Sequence, residues 1–282
     1  MSTWSTLWLV MERELRARRR AALIVTAVLA TVAVGALVLI SVAGSGSGPA
    51  RLQPEDADEV LGSLGVIIMF AAILMTGQVV LLGVAEEKNS RVAEVVLGAM
   101  PPRLLLAGKV IAIGLIGLAE VVLTAGLVLG VGSALDTLEL PDATGGAFAI
   151  VLLWFLLGFA FYSTVYGAAG SLVARHQNAA NAAGPINIVV MIGYFIGVFS
   201  VSSDLSGNVV LKIASILPPF APTTMPLRMI QGTAAPLEVA ISIVLLVVST
   251  YGLLLVAERV YSGGLLSSGK TRIRTALRNA IR

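Results

Sequence analysis

Six apolar runs, each long enough to cross a lipid bilayer, leave this chain few folds to adopt. A helix needs about 20 predominantly apolar residues to span the hydrocarbon layer. Runs of that kind occupy residues 21–43, 60–85, 110–132, 147–174, 185–203 and 236–257. In hydrocarbon every backbone N–H and C=O must bond within the protein, so such runs predict helices and exclude open sheets. Composition agrees, with 57% of the 282 residues hydrophobic and 12% charged, where soluble domains run about 45–50% and about 25%. The expectation is an all-α integral membrane protein, a single six-span transmembrane domain over 1–282. A basic flank, "RARRR", precedes the first run as in a signal peptide, but the apolar core is too long for one and reads as an anchor. The chain has no cysteine, so disulfides, thiolate metal sites and cysteine nucleophiles are excluded.

Charge placement orients the spans. Sixteen of the nineteen Lys and Arg residues fall before the first run, in the 86–109 and 175–184 loops, or after the last run; only Arg51, Lys212 and Arg228 fall on the other side. The positive-inside rule therefore predicts both termini in the cytoplasm of a multi-pass membrane protein. The opposite loops are acidic, as in "PEDADE" (Glu55, Asp56, Asp58, Glu59).

Ahead of the first span, Trp4, Leu7, Trp8, Met11 and Leu15 recur at three- and four-residue steps, with Arg13 and Arg16 off the stripe. This predicts an amphipathic helix over 1–20, lying in the cytoplasmic interface against anionic lipid. "GSGSGPARLQP" reads as a short flexible outer loop. Between 204 and 235 the apolar run "VVLKIASIL" is too short to span and leads into "PPFAPTTMP". Two arrangements stay open there: a re-entrant hairpin, or a surface loop packed on helix ends. The tail 258–282 is basic and reads as held to anionic lipid at the inner face.

The loop between the second and third runs, "VAEEKNSRVAEVVLGAMPPRLLLAGK", is longer than a turn requires. Val92, Val95, Val96 and Met100 line one helical face. Glu87 pairs with Arg91, and Arg91 with Glu94, at helical spacing on the other. Pro101 and Pro102 then end the helix. An amphipathic helix across the inner mouth of a bundle suits docking of a cytoplasmic partner.

At these residues the chain resembles the ABC-2 family of ABC-transporter permease subunits, in particular its sodium-extrusion and drug-export branch. Glu86 to Lys109 is similar to that branch's pattern of EEK, then S-R, then E-V, then a proline before G-K. The resemblance extends to the interfacial helix, the six spans, "LPPFAPTTMPLRM" and the basic tail. It implies a homodimer or heterodimer of six-span subunits, each docked to a separate ATP-binding subunit that carries ATP and magnesium. It also implies that 86–109 holds the coupling helix, with Glu86, Glu87, Lys88, Arg91 and Glu94 as ATPase-contact or orienting residues. Many relatives in that branch carry a large external domain after the first span, where this chain has about sixteen residues. Sodium is therefore not inferred as the substrate.

Ionisable groups within spans cost about 2.5–3.5 kcal/mol on insertion scales, which makes each a functional candidate. Glu120 lies mid-span in "GLIGLAEVVLTAG" and Gln78 within "MTGQVV". Both are candidates to line a substrate path or a dimer seam; the alternative is an interhelical hydrogen bond that holds the bundle. Tyr162, Tyr166 and the glycines Gly158, Gly167 and Gly170 read as helix-packing residues, and His176 as a solvated loop histidine.

"GLLSSGKT", Gly264–Thr271, matches the phosphate-binding pattern G-x-x-x-x-G-K-[ST]. A working phosphate loop follows a β-strand and opens a helix in an α/β domain. Here the match follows a membrane span, so it is expected to be a coincidence and no nucleotide site. Without a metal-ligand cluster or a Ser/His/Asp constellation, a membrane enzyme is not expected, nor is a nucleic-acid partner. The reading is a non-catalytic permease subunit of an ABC exporter for a lipid-like or amphipathic drug, with a cation kept open by Glu120. The alternative is an ATP-independent transporter or a membrane anchor for a signalling complex.

Overall fold

A computed structural model describes residues 8, 11–12, 26–28, 30–31, 34–35, 54–89, 102–134, 144–173, 179–202 and 209–265. The described residues are helical throughout, apart from short turns, and carry no strand. Seven helices are bounded within them: α1 (Pro54–Asn89), α2 (Pro102–Ala134), α3 (Thr144–Leu172), α4 (Ala179–Ser202), α5 (Val209–Ile216), α6 (Ala221–Ile230) and α7 (Pro236–Leu265). Five contain stretches long and apolar enough to cross a membrane: Ser63–Glu86, Gly108–Val131, Gly146–Leu172, Asn181–Phe199 and Pro236–Ala257. The run at 21–43 lies largely outside the described residues; those described within it are helical, and the Thr31 hydroxyl donates to the Ala27 carbonyl at 2.7 Å. Most of the expected interfacial helix over 1–20, the 90–101 segment and the tail beyond Leu265 also lie outside them.

Proline sets several helix starts. Pro54, Pro102 and Pro236 are the first residues of α1, α2 and α7, where the missing N–H costs nothing and the fixed φ is already helical. The acidic "PEDADE" thus opens α1 six residues before the apolar run, and is helix where a loop was expected. The 185–203 run is corrected likewise: α4 begins at Ala179 and carries Pro185 inside it. Tertiary packing holds this helix although proline cannot donate to the carbonyl four residues back.

The central pairing is α1 with α3, the most extensive in the bundle. Added Cβ atoms would bring Gly65 onto Val151, Gly77 onto Tyr166, Gly158 onto Ile73 and Gly170 onto Leu81. Both members of these pairs rise together, so α1 and α3 run parallel. Helix α2 returns antiparallel, with Gly117 against Thr76 and Phe155. Small residues permit this approach where lipid supplies no hydrophobic drive between helices. Trp154, Phe155, Phe159, Tyr162 and Tyr166 of α3 fill the centre. Tyr166 donates to Asn187 Oδ1 of α4 at 2.5 Å. The expected packing role of Gly158, Gly170 and the two tyrosines is what the structure displays.

Residues 209–230 form a helical hairpin in which α6 is buried from Ala221 to Arg228. Gly193 of α4 meets Phe220 and Thr223, and Gly197 meets Thr223, Thr224 and Leu227, so α6 runs parallel to α4. The hairpin tip therefore points into the bundle, and Tyr162 of mid-α3 donates its hydroxyl to the Pro219 carbonyl there. Of the two expected arrangements for 204–235, the described residues show a hairpin packed among the helices, without fixing its depth in a bilayer. The outward side of α5 stays apolar, with Val209, Val210, Ile213 and Leu217 exposed.

One ion pair fastens this hairpin to α7. Helix α6 ends in a Schellman turn: Gly232 takes φ 68°, its N–H bonds the Met229 carbonyl, and the Thr233 N–H bonds the Arg228 carbonyl. The turn brings the Thr233 carbonyl back to the Arg228 guanidinium at 3.0 Å. Arg228, fully buried, also donates to Ser215 Oγ of α5 at 2.5 Å and to Glu238 Oε2 of α7 at 2.5 Å. Ser242 of α7 donates to the Ser215 carbonyl at 2.9 Å.

Two stability predictions follow from these contacts. Gly170→Ala would place a Cβ 2.5 Å from the Leu81 carbonyl oxygen, and is expected to cost about 1–3 kcal/mol. Gly126→Ala meets nothing within 4 Å and is expected to be neutral or slightly stabilising. Thermal unfolding in detergent distinguishes them, and equal melting temperatures for the two variants would contradict the seam. Glu238→Gln leaves Arg228 buried without its counter-charge and should cost about 3 kcal/mol. The double variant Arg228→Met with Glu238→Leu should lose less than that single change; strict additivity would show that the pair is not coupled.

Candidate functional site: polar groups buried in the bundle

Glu120 sits at the midpoint of the α2 span, 3% exposed, on the edge of the helix face that packs against the core. Its Oε2 atom is buried and has no hydrogen-bond partner among the described residues. One turn on, Thr124 is fully buried and its hydroxyl is likewise without a partner. Residues four apart stack on one helical face, so carboxylate and hydroxyl lie side by side. Each such atom costs roughly 1–3 kcal/mol when removed from water unpaired. Their immediate neighbours Val121, Ala125 and Val128, with Leu64, Ile68 and Val151 of α1 and α3, line an apolar cleft on the adjoining face of α2.

The structure does not bring Gln78 to Glu120. Thr76 lies against Gly117 where α1 and α2 cross. In this antiparallel pair Gln78 lies two residues to one side of that contact and Glu120 three to the other. At 1.5 Å per residue they are separated by about 7–8 Å along the axis. Gln78 is half-buried. Each is thus placed singly, in a different layer of the bundle.

Three of the sequence-predicted coupling residues, Glu86, Glu87 and Lys88, fall at the C-terminal end of α1. Glu86 is exposed in the penultimate turn of α1, and the backbone helix continues through Glu87 and Lys88 to Asn89. Arg91 and Glu94 lie outside the described residues. Lys109, at the start of the α2 span on the same end, is buried and engaged by its surroundings. Of the phosphate-loop match, Gly264 and Leu265 are the last residues of α7, helix rather than strand or loop; 266–271 lie outside the described residues, as does His176. No group of three or more His, Cys, Asp or Glu side chains able to hold a metal occurs among the described residues.

Two features escaped reading from the sequence. Arg228 appears there only as one of three outer-side cations, yet it is among the largest fully buried side chains. Its partner Glu238 is ten residues on, across a turn, and Ser215 thirteen residues back. Neither spacing has a helical or strand period. The available signal was an arginine inside an apolar, proline-marked hairpin, followed by an acidic residue in the first turn of the next helix. Thr124 was missed because a threonine in a helix ordinarily satisfies itself.

Comparison with known proteins agrees with this architecture. A model of the family described as "ABC-2 family transporter protein" matches residues 22–257. The chain is 25% identical over 240 residues to "Uncharacterized protein YhaP" of Bacillus subtilis, covering 81% of this chain and 57% of that protein. It is also 25% identical over 205 residues to "Uncharacterized protein MJ1024" of Methanocaldococcus jannaschii, covering 71% and 48%. The chain spans about half the length of the curated relatives it matches. With a family match over most of its length and five apolar helices able to span a bilayer, this multi-pass membrane protein belongs to the ABC-2 transporter family.

Proposed function

We propose that the chain is the non-catalytic permease subunit of an ATP-driven exporter in the bacterial inner membrane. The observation that carries this reading is the ABC-2 family match over 22–257, laid over a bundle of apolar helices. Proteins of this family normally work with an ATP-binding subunit, and the same arrangement is proposed here, with ATP and magnesium bound in that separate chain. A second permease subunit, identical or related, completes the transporter. Exposed apolar faces on α2, α4 and α7, such as Ile188, Met191, Ile192, Phe195 and Phe199, suit lipid or such a subunit.

Six spans, the first over 21–43, put both termini in the cytoplasm. The end of the bundle that carries Glu86 and Lys109 then faces the ATPase, and the 86–109 segment is the coupling element. The hairpin of α5 and α6 is re-entrant from the outer side, which its apolar outward face and inward-pointing tip support. Only a hairpin whose backbone groups bond within the protein is stable at that depth. In the proposed cycle, ATP closes the two ATPases, the 86–109 segments pass the motion to α1 and α2, and a path between the subunits opens outward. The substrate class this interior suits is lipid-like or amphipathic, because the buried wall is apolar with few charges.

Reversing the coupling charges tests the mechanism. Arg91→Glu and Glu94→Lys should each lower substrate-stimulated ATP hydrolysis by the purified complex at least severalfold while leaving the permease folded. Undiminished turnover in both would remove the coupling role. Topology is tested separately, and the cysteine-free chain makes it direct. Single-cysteine variants Ser47→Cys and Ser206→Cys should react with a membrane-impermeant maleimide on intact cells. Ser90→Cys should react only after permeabilisation, and the reverse pattern would invert the orientation.

A further inference from the structure

Among the described residues, Thr124 carries the one buried hydroxyl without a hydrogen-bond partner. Thr31, Thr76, Thr164, Thr224 and Thr250 each donate to the carbonyl four residues back, at 2.5–2.9 Å. Thr124 does not, although the carbonyl of Glu120 stands in the equivalent position. Its hydroxyl keeps a free donor and free lone pairs beside a carboxylate oxygen that is also unbonded. Both side chains are more than nine-tenths buried and stand at the middle of a span. Arg228, whose Nε is the other buried atom without a partner among the described residues, is otherwise held by Glu238, Ser215 and the Thr233 carbonyl. Two neighbouring polar groups on successive turns, both unpaired, make a candidate recognition element.

The chemistry of the pair selects the ligand. A carboxylate in an apolar wall calls for a positive charge, and the neighbouring hydroxyl oxygen offers a second acceptor. A bare hard metal ion takes about six or more oxygen ligands, which one carboxylate and one hydroxyl do not supply. A protonated primary amine has three N–H donors, which one carboxylate and one hydroxyl match with three acceptor oxygens and a counter-charge, and its carbon body is at home against aliphatic side chains. Glu120 and Thr124 do not themselves line the cleft formed by Leu64, Ile68, Val121, Ala125, Val128 and Val151, but three of its residues belong to the same turns of α2, and such a body would run along them.

We propose that Glu120 and Thr124 are the polar anchor of a substrate site for amphipathic compounds bearing a protonated amine. This rests on the reading of the chain as a transport permease and narrows its substrate class. Glu120 supplies the counter-charge, Thr124 orients the ammonium group, and the apolar cleft takes the hydrocarbon.

Equilibrium binding to the full chain in nanodiscs of zwitterionic lipid, with empty nanodiscs subtracted, tests this. The probes are n-dodecylamine and its neutral counterpart n-dodecanol at neutral pH. Wild-type protein should bind the amine saturably and about tenfold or more tighter than the alcohol. Glu120→Gln should abolish that preference while leaving dodecanol binding and the melting temperature unchanged. Thr124→Val should weaken amine binding about threefold or more, and Glu120→Asp should keep part of it. The proposal fails if Glu120→Gln retains the amine preference or if the wild type has none. It also fails if sodium chloride, but not choline chloride, displaces the amine, since the site would then be one for a metal ion. The assay needs neither ATP nor transport, so its outcome is separable from the exporter reading. Amine binding lost in Glu120→Gln supports the site even where no ATPase accompanies the chain; a complex with an ATPase and unaltered binding in Glu120→Gln refutes the site alone.

Discussion

The parallel seam between α1 and α3 is the contact on which the other packing depends. Gly170 lies so close to α1 that a methyl group there would reach the Leu81 carbonyl oxygen, and Gly77 lies flat against the Tyr166 ring. Between membrane helices, packing and polar contacts replace the hydrophobic drive that holds soluble cores together. The seam therefore fixes the register of α3, and α3 in turn positions what lies beyond. Its Tyr166 meets Asn187 of α4, and its Tyr162 holds the hairpin tip at Pro219. The hairpin then carries Arg228 to Glu238 at the head of α7. Helix α7, the least buried of the spans, is secured in part by that pair.

Two ways of burying charge are visible in one bundle. Arg228 is surrounded by a carboxylate, a hydroxyl and a carbonyl, with only its Nε unbonded. A cation so enclosed is structural: its removal breaks a network that joins α5, the turn after α6 and α7. Glu120 has the opposite character. It lies at the same kind of depth, yet one carboxylate oxygen and the neighbouring Thr124 hydroxyl meet no partner. That difference separates a residue held by the scaffold from the one on which the proposed ligand site rests.

Much of this was legible beforehand, because hydrocarbon restricts a chain so strongly. Apolar runs of span length located α1 to α4 and α7 to within a few residues at most ends, and the 86–109 pattern together with the late proline-rich stretch pointed to the family. The errors came where local grammar and tertiary packing compete. The apolar run was placed from residue 185, yet α4 begins at Ala179 and runs through Pro185. The charges of "PEDADE" read as a loop, yet Pro54 opens a helix there. The hairpin left two arrangements open because its stability comes from partners remote in sequence, Tyr162 and Glu238 above all. For the candidate site, Glu120 stood out as a charge in an apolar run, whereas Thr124 did not. An idle hydroxyl can be recognised only when the bonds of the other threonines are known.

An ATP-driven permease is defined by the chain that powers it. Affinity purification of this protein from its native membranes in mild detergent, with identification of every stoichiometric partner and assay of ATP hydrolysis, is the most direct measurement. The account predicts an ATP-binding subunit in stoichiometric amount and hydrolysis that neither chain sustains alone at the same rate. A permease recovered without any nucleotide-binding chain, and moving its substrate on an ion gradient alone, would contradict it.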